Sequence, residues 1–137
     1  MKLGIVVSEF YWEEITSKML ELSLKVCKEN NVETEVIKVP GSFDIPLSVK
    51  RLLGKNEIDG VITLGAVIAG ETEHDVIIST ALAKTLQELS LQFDKPVVLG
   101  VNGPRMSYSQ AIARIKRAGE VTQVCINLVK SLKQILK

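Results

Sequence analysis

Histidine, cysteine and aromatic side chains are scarce in this chain, and long apolar runs and an excess of one charge are missing. Each shortage closes off a class of protein. Cys27 and Cys125 stand far apart inside helix-like apolar patterns, so there is no CxxC metal or redox motif, and both read as reduced core thiols. The apolar runs, such as 61–69, fall well short of the roughly 20 residues that a membrane-spanning helix needs. Met1-Lys2 leads straight into a strand-like segment instead of a signal peptide, so the expected location is the cytoplasm and no membrane partner is expected. Seventeen Lys and Arg against sixteen Asp and Glu leave a formal charge of +1. No basic stripe is available to neutralise a phosphate backbone, so no nucleic-acid partner is expected. His74 is the one histidine, with neither a cysteine nor a second histidine beside it, which argues against a zinc site.

What is present is an ordinary globular composition, 46% hydrophobic and 24% charged, in 137 residues that fit a single domain, 1–137. A chain of this size buries about two-thirds of its unfolded surface without disulfide staples. Leu3 to Val7 reads as a strand buried on both faces. Ile15, Met19, Leu22 and Val26 recur at helical spacing over about 13–29, with Asn30-Asn31 as the stop. Glu35 to Val39 alternates as a second strand that Pro40-Gly41 ends. A short helix over Ile45 to Leu53 follows, with Asp44 as its N-cap, Pro46 in its first turn and Gly54 as its stop. Ile58 to Val67 contains the third strand, and Gly70-Glu71-Thr72 opens a long helix with Thr72 as its cap. Pro96 to Val101 is the fourth strand, and 107–136 is expected to be helical with a kink at Gly119.

Four alternating strand–helix units imply a parallel sheet with right-handed crossovers, an α/β fold of three layers, α/β/α, with a four-stranded flavodoxin-like sheet. Ligands of such sheets bind outside the carboxyl ends of the strands, here at 8–12, 40–44, 65–74 and 101–108. Five of the six aromatics, Phe10, Tyr11, Trp12, Phe43 and Tyr108, fall in those segments, which suits a flat ligand or a capped core edge equally. The stretch Gly65 to Thr72 has the look of a phosphate loop, but Glu71 stands where a nucleotide hydrolase needs lysine. What survives is the backbone: free N–H groups near 70–74 and the helix dipole favour one small anion. His74 shares that turn and is the only imidazole available for acid–base work. Arg105, Arg114 and Arg117 follow the last rim segment, and Arg114 and Arg117 are expected to share a helical face, leaving open which would clamp an anion. The acidic cluster of a phosphoacceptor receiver domain is missing, as are GxGxxG and GxSxG.

Val39-Pro40-Gly41-Ser42-Phe43-Asp44-Ile45-Pro46-Leu47 and Leu64-Gly65-Ala66-Val67-Ile68-Ala69-Gly70-Glu71-Thr72-Glu73-His74, with Phe10 after the first strand, resemble the 6,7-dimethyl-8-ribityllumazine synthase family, its archaeal branch in particular. The resemblance covers nearly the whole chain. It implies condensation of 5-amino-6-(D-ribitylamino)uracil with 3,4-dihydroxy-2-butanone 4-phosphate, the penultimate step of riboflavin biosynthesis, with no cofactor and no metal. It further implies that Phe10 stacks on the pyrimidine, that Ser42, Phe43 and Asp44 hold the ribityl chain, and that Val67 and Ile68 meet the uracil edge. Glu71 and Thr72 match the phosphate-binding positions, His74 the proton-transfer histidine, and Arg114 the arginine that reaches a neighbouring subunit's phosphate. The partners implied are those two small substrates and further copies of the chain, in a homopentamer or a larger shell with intersubunit sites. Phe10 to Ile15 holds one residue more than is usual in the family, so Phe10, Tyr11 and Trp12 all remain open as the stacking ring. Lys116 and Arg117 stand without clear counterparts after Arg114. A lumazine- or flavin-binding carrier or shell protein, and the related archaeal riboflavin synthase, are the rival readings; the Gly-Glu-Thr-x-His stretch argues against the latter.

Overall fold

A computed structural model describes residues 1–135. Strand β1 spans Lys2–Ser8, helix α1 Ser17–Glu29, β2 Glu33–Val39, α2 Ile45–Leu53, β3 Gly60–Ala66, α3 His74–Phe93, β4 Val97–Asn102, α4 Tyr108–Ala113 and α5 Arg117–Ile135. The strands pair in parallel in the order β2-β1-β3-β4, with Val6 opposite both Ile37 and Thr63. This is the α/β arrangement expected, and its order reverses between β1 and β3, where open sheets of this kind leave a crevice at their carboxyl ends.

Period-two alternation divides each central strand between two cores. Leu3, Ile5 and Val7 of β1 and Ile62 and Leu64 of β3 pack under α1 and α5, together with Met19, Ala118, Cys125 and Ile126. Val6 and Val61 point the other way, to Val49, Leu52 and Leu53 of α2 and Leu82 and Leu86 of α3. Ile5, Ile62 and Leu64 are wholly buried, each contributing roughly 1.5–3 kcal/mol of transfer free energy. Close approach makes Gly100 necessary: a Cβ there would stand 2.4 Å from the Thr63 carbonyl oxygen. Burial raises the thiol pKa of Cys27 to about 11 and that of Cys125 to about 12, in keeping with their reading as core thiols.

Three boundaries depart from the expectations. The helix expected over 13–29 begins with a wide turn, Trp12–Thr16, in which the N–H groups of Ile15 and Thr16 both donate to the Tyr11 carbonyl, at 2.9 and 3.0 Å. A π turn holds one residue more per turn than an α turn, so the chain enters α1 through a wider first turn than helical spacing alone predicts. Asp44 occupies the N-cap position of α2, but its carboxylate instead accepts the Gly41 N–H at 3.0 Å and closes the loop before the helix. The third departure is the helix expected over 107–136, whose residue 136 lies outside the described residues. It breaks at 114–116, not at Gly119. There the bonding changes to three-residue spacing, while the Asn102 amide donates to the carbonyls of Ala111 and Arg114 at 3.5 and 3.4 Å. Arg114 therefore ends α4 and Arg117 begins α5, so the two do not share one helical face.

Candidate functional site

An open crevice of about 460 Å³ lies at the carboxyl ends of β1, β2 and β3, where the strand order reverses. Its walls come from four segments, each placed by backbone bonds. After β1, Glu9 N–H donates to the Val39 carbonyl at 2.7 Å and Phe10 N–H to Ser8 Oγ at 3.2 Å. Tyr11 then takes a left-handed conformation, φ 61°, which turns the chain into the wide turn. Phe10 and Tyr11 both line the crevice. Trp12 does not; its ring lies under the Lys38 ammonium at 4.4 Å, a cation–π contact away from the cavity.

Phe10 is 60% and Phe43 73% exposed, so both line the crevice with ring surface open to solvent. The Phe10 ring meets Tyr11 edge to face at 4.8 Å, and Tyr11 meets Tyr108 at 5.9 Å. Partial desolvation, then the charge of Glu14, pushes the Tyr108 phenol above its ordinary pKa. Beside Phe43, Ser42 is buried, and its hydroxyl has no partner among the described residues. A Cβ on Gly65 would lie 2.8 Å from that oxygen, so glycine at 65 is what gives Ser42 its place.

The third wall is the segment that leaves β3. Val67 and Ile68 line the crevice, with Gly70 and Thr72 beyond them. The Val67 N–H donates to the Asn102 carbonyl at 2.7 Å and the Ala69 N–H to the Met106 carbonyl at 2.8 Å, so the segment rests on the loop after β4. His74 is the first residue of α3, exposed and lining the crevice. Thr72 was expected to cap this helix. The N-cap position falls to Glu73, which makes no side-chain cap bond, while Thr72 Oγ accepts the His74 N–H at 3.3 Å. The first-turn amides of a helix have no partner within it, so this turn keeps the character of an anion site.

Of the residues singled out from the sequence, the structure brings together Phe10, Ser42, Phe43, Val67, Ile68, Thr72 and His74. It does not bring Asp44, Glu71 or Arg114 to the lining: all three are exposed, Asp44 engaged with Gly41 and Arg114 at the end of α4. The sequence reading missed Asp75 and Ile78, which also line the crevice. Ile78 lies one turn after His74, and helical spacing would have found it; nothing in the pattern marks Asp75 beyond an acidic residue in a first helical turn. Among the described residues no group of three or more His, Cys, Asp and Glu side chains could hold a metal ion, and no helix is long and apolar enough to cross a membrane.

The family model described as 6,7-dimethyl-8-ribityllumazine synthase matches residues 1–133. A protein of that name from Picrophilus torridus is 46% identical over 134 residues, covering 97% of this chain and 98% of its own. One from Metallosphaera sedula is 50% identical over 117 residues, 85% of this chain and 77% of its own. One from Saccharolobus solfataricus is 44% identical over 137 residues, 98% of this chain and 88% of its own.

Proposed function

Since the chain belongs to the 6,7-dimethyl-8-ribityllumazine synthase family, a family of riboflavin-biosynthesis transferases, we propose that its crevice condenses 5-amino-6-(D-ribitylamino)uracil with 3,4-dihydroxy-2-butanone 4-phosphate. The observation that carries this reading is spatial: exposed rings, the main chain at Val67–Ile68, a helix N-terminus and the one imidazole share a single crevice. Phe10 stacks on the pyrimidine, with Tyr11 edge-on behind it. Val67 and Ile68 meet the uracil edge through backbone groups, and Ser42, Phe43 and Asp44 hold the ribityl chain, Asp44 after giving up Gly41 or through its free oxygen. The amides of Glu71 and Thr72, with the Thr72 hydroxyl, receive the phosphate.

The chemistry asks mainly for proton movement and placement. The pyrimidine amine attacks the ketone, water leaves to give an imine, phosphate is expelled, the enol tautomerises, and the ribitylamino nitrogen closes the ring with loss of a second water. His74, at the mouth of the phosphate turn, relays protons in these steps, work worth about 10²–10⁴-fold. Holding both reactants supplies the rest through orientation.

The crevice of one chain has Glu71, Glu73 and Asp75 around its anion turn and, among the described residues, no lysine or arginine in its lining. The resemblance to the family implies a homopentamer of single-domain subunits acting in the cytoplasm, and Arg114, exposed and outside its own crevice, suits a role at a neighbour's phosphate. Incubating the purified protein with both substrates should produce the lumazine absorbance with stoichiometric phosphate release, and ligand binding without product would overturn the reading. Sedimentation velocity should show an assembly; a pure monomer that turns over would remove Arg114 from the site.

A further inference from the structure

Asp75 is the second residue of α3, only 4% exposed, and it lines the crevice beside His74. Among the described residues no basic side chain forms an ion pair with it. Its one hydrogen-bonding partner is a backbone group thirty residues away: Oδ2 accepts the Arg105 N–H at 2.8 Å. A carboxylate is costly to bury, and an apolar side chain would fill the same space at less cost. What the apolar substitute would not do is hold Arg105.

Arg105 needs holding. It is in the left-handed region, φ 56°, two residues after Gly103 at φ 128°, and such conformations persist only where their surroundings fix them. A Cβ on Gly103 would stand 2.4 Å from the Val67 carbonyl oxygen, so this loop presses directly on the crevice wall. The next residue, Met106, accepts the Ala69 N–H at 2.8 Å, and Asn102, just before the loop, accepts the Val67 N–H at 2.7 Å. A continuous chain of bonds thus runs from the first turn of α3 through Arg105 and Met106 to Ala69, and closes on the segment that carries Val67 and Ile68.

We propose that Asp75 is a positioning residue for pyrimidine binding: its carboxylate ties the loop after β4 to α3 and so holds the Val67–Ala69 backbone at the spacing the uracil edge requires. This rests on the reading of the crevice given above. The role belongs to the acceptor oxygen, so Asp75→Asn, which keeps an acceptor, and Asp75→Ala, which does not, separate it from an effect of charge.

Both variants should be compared with the unmodified protein by steady-state turnover, varying each substrate in turn, and by amide hydrogen exchange. In Asp75→Ala the pyrimidine KM should rise about tenfold, the factor expected for losing one hydrogen bond to a charged group, with kcat and the KM of the phosphate substrate changed by no more than about twofold. The amides of Ala69 and Arg105 should exchange at least about tenfold faster, while those of Ile5 and Ile62 in the sheet stay protected. Asp75→Asn should restore the pyrimidine KM to within about threefold of the unmodified protein, since it retains a neutral acceptor. The tether is overturned if Asp75→Ala keeps its pyrimidine KM, or if Asp75→Asn is as impaired as Asp75→Ala. Should Asp75→Ala fail to fold, slow exchange at Arg105 in the unmodified protein with near-normal kinetics for Asp75→Asn supports the tether, and fast exchange there overturns it. If the unmodified protein forms no lumazine, the functional reading fails by itself, and exchange at Ala69 and Arg105 still decides whether Asp75 holds the loop.

Discussion

The two ends of the sheet are made differently. At the amino ends of the strands charged groups are satisfied: Lys2 N–H donates to Asp59 at 2.9 Å, and Lys133 approaches the same carboxylate at 3.4 Å. Lys55 meets Glu35 at 2.7 Å, and the Lys95 ammonium caps the carbonyls of Leu53 and Lys55 at 2.9 and 3.0 Å. At the carboxyl ends Phe10 and Phe43 stand open, His74 is exposed and Ser42 Oγ has no partner. At the amino end charged side chains pair with one another and with backbone; at the carboxyl end Asp44 and Asp75 brace loops while the two rings and His74 stay exposed around them. Substitutions of the exposed carboxyl-end side chains, Phe10 and His74, should therefore change turnover with little change in stability, and those of the paired amino-end charges the reverse.

The largest effect is expected at His74. His74→Ala should lower kcat by about 10²–10⁴-fold, the usual contribution of a general acid–base group. Pyrimidine affinity should hold, and because the side chain is exposed in a first helical turn, stability should move by no more than about 0.5 kcal/mol. Single-turnover kinetics with a urea titration checks both halves. An unchanged rate would remove the imidazole from the chemistry and with it the sharpest contrast between the ends.

Next comes Phe10→Ala. Stacking of a ring on a heteroaromatic base is worth about 1–3 kcal/mol, so pyrimidine Kd should rise roughly five- to 150-fold, with kcat changed less. The same substitution at Trp12 should leave binding alone, because that ring packs with Lys38 outside the crevice. Titration of each variant with the pyrimidine, followed by fluorescence, distinguishes them; an equal loss in both would mean that the wide turn, and not the Phe10 ring, governs binding.

Period-two and helical spacing made the sheet and its layers legible, because strands such as Ile5 to Val7 and Ile62 to Leu64 bury both faces and leave little choice of partner. Most of the crevice was legible too, since carboxyl-end loops of a reversing parallel sheet must converge. What escaped was decided by single hydrogen bonds between distant residues. The break at 114–116 depends on the Asn102 amide, and Asp75 finds its partner thirty residues on, relations that no local pattern records. Asp44 had the right position for a cap, but its carboxylate turns back to accept the Gly41 N–H three residues before it.

At the amino end, Asp59→Ala removes the acceptor for Lys2 N–H and the partner of Lys133. A part-buried hydrogen bond to a carboxylate is worth about 1.5–3 kcal/mol, and the bridge beside it, half exposed on the lysine side, adds little. Unfolding stability should fall by about 1.5–3 kcal/mol in urea while kcat and both KM values hold. A loss of turnover exceeding the loss of stability would show that the two ends communicate.

The smallest effect is expected at Glu35, and its pH dependence identifies it. The hydrogen bond from Lys55, then the charges of Lys55 and Lys2, hold the Glu35 carboxyl below its ordinary pKa against a smaller desolvation effect. The bond to Glu35 likewise raises the Lys55 amine. A carboxyl lowered by folding stabilises the fold above its unfolded pKa and loses that contribution as pH falls through its folded value. A raised amine stabilises below its unfolded pKa and loses the contribution as pH rises through its folded value. Glu35→Gln should therefore be slightly less stable than the unmodified protein across neutral pH. The difference should close in acid below the carboxylate range and again in strong alkali, and it should shrink in 1 M salt, where the screening length falls to about 3 Å. Urea midpoints measured across that pH range check it; a difference that persists in acid would mean Glu35 contributes through packing of its stem, not through its charge.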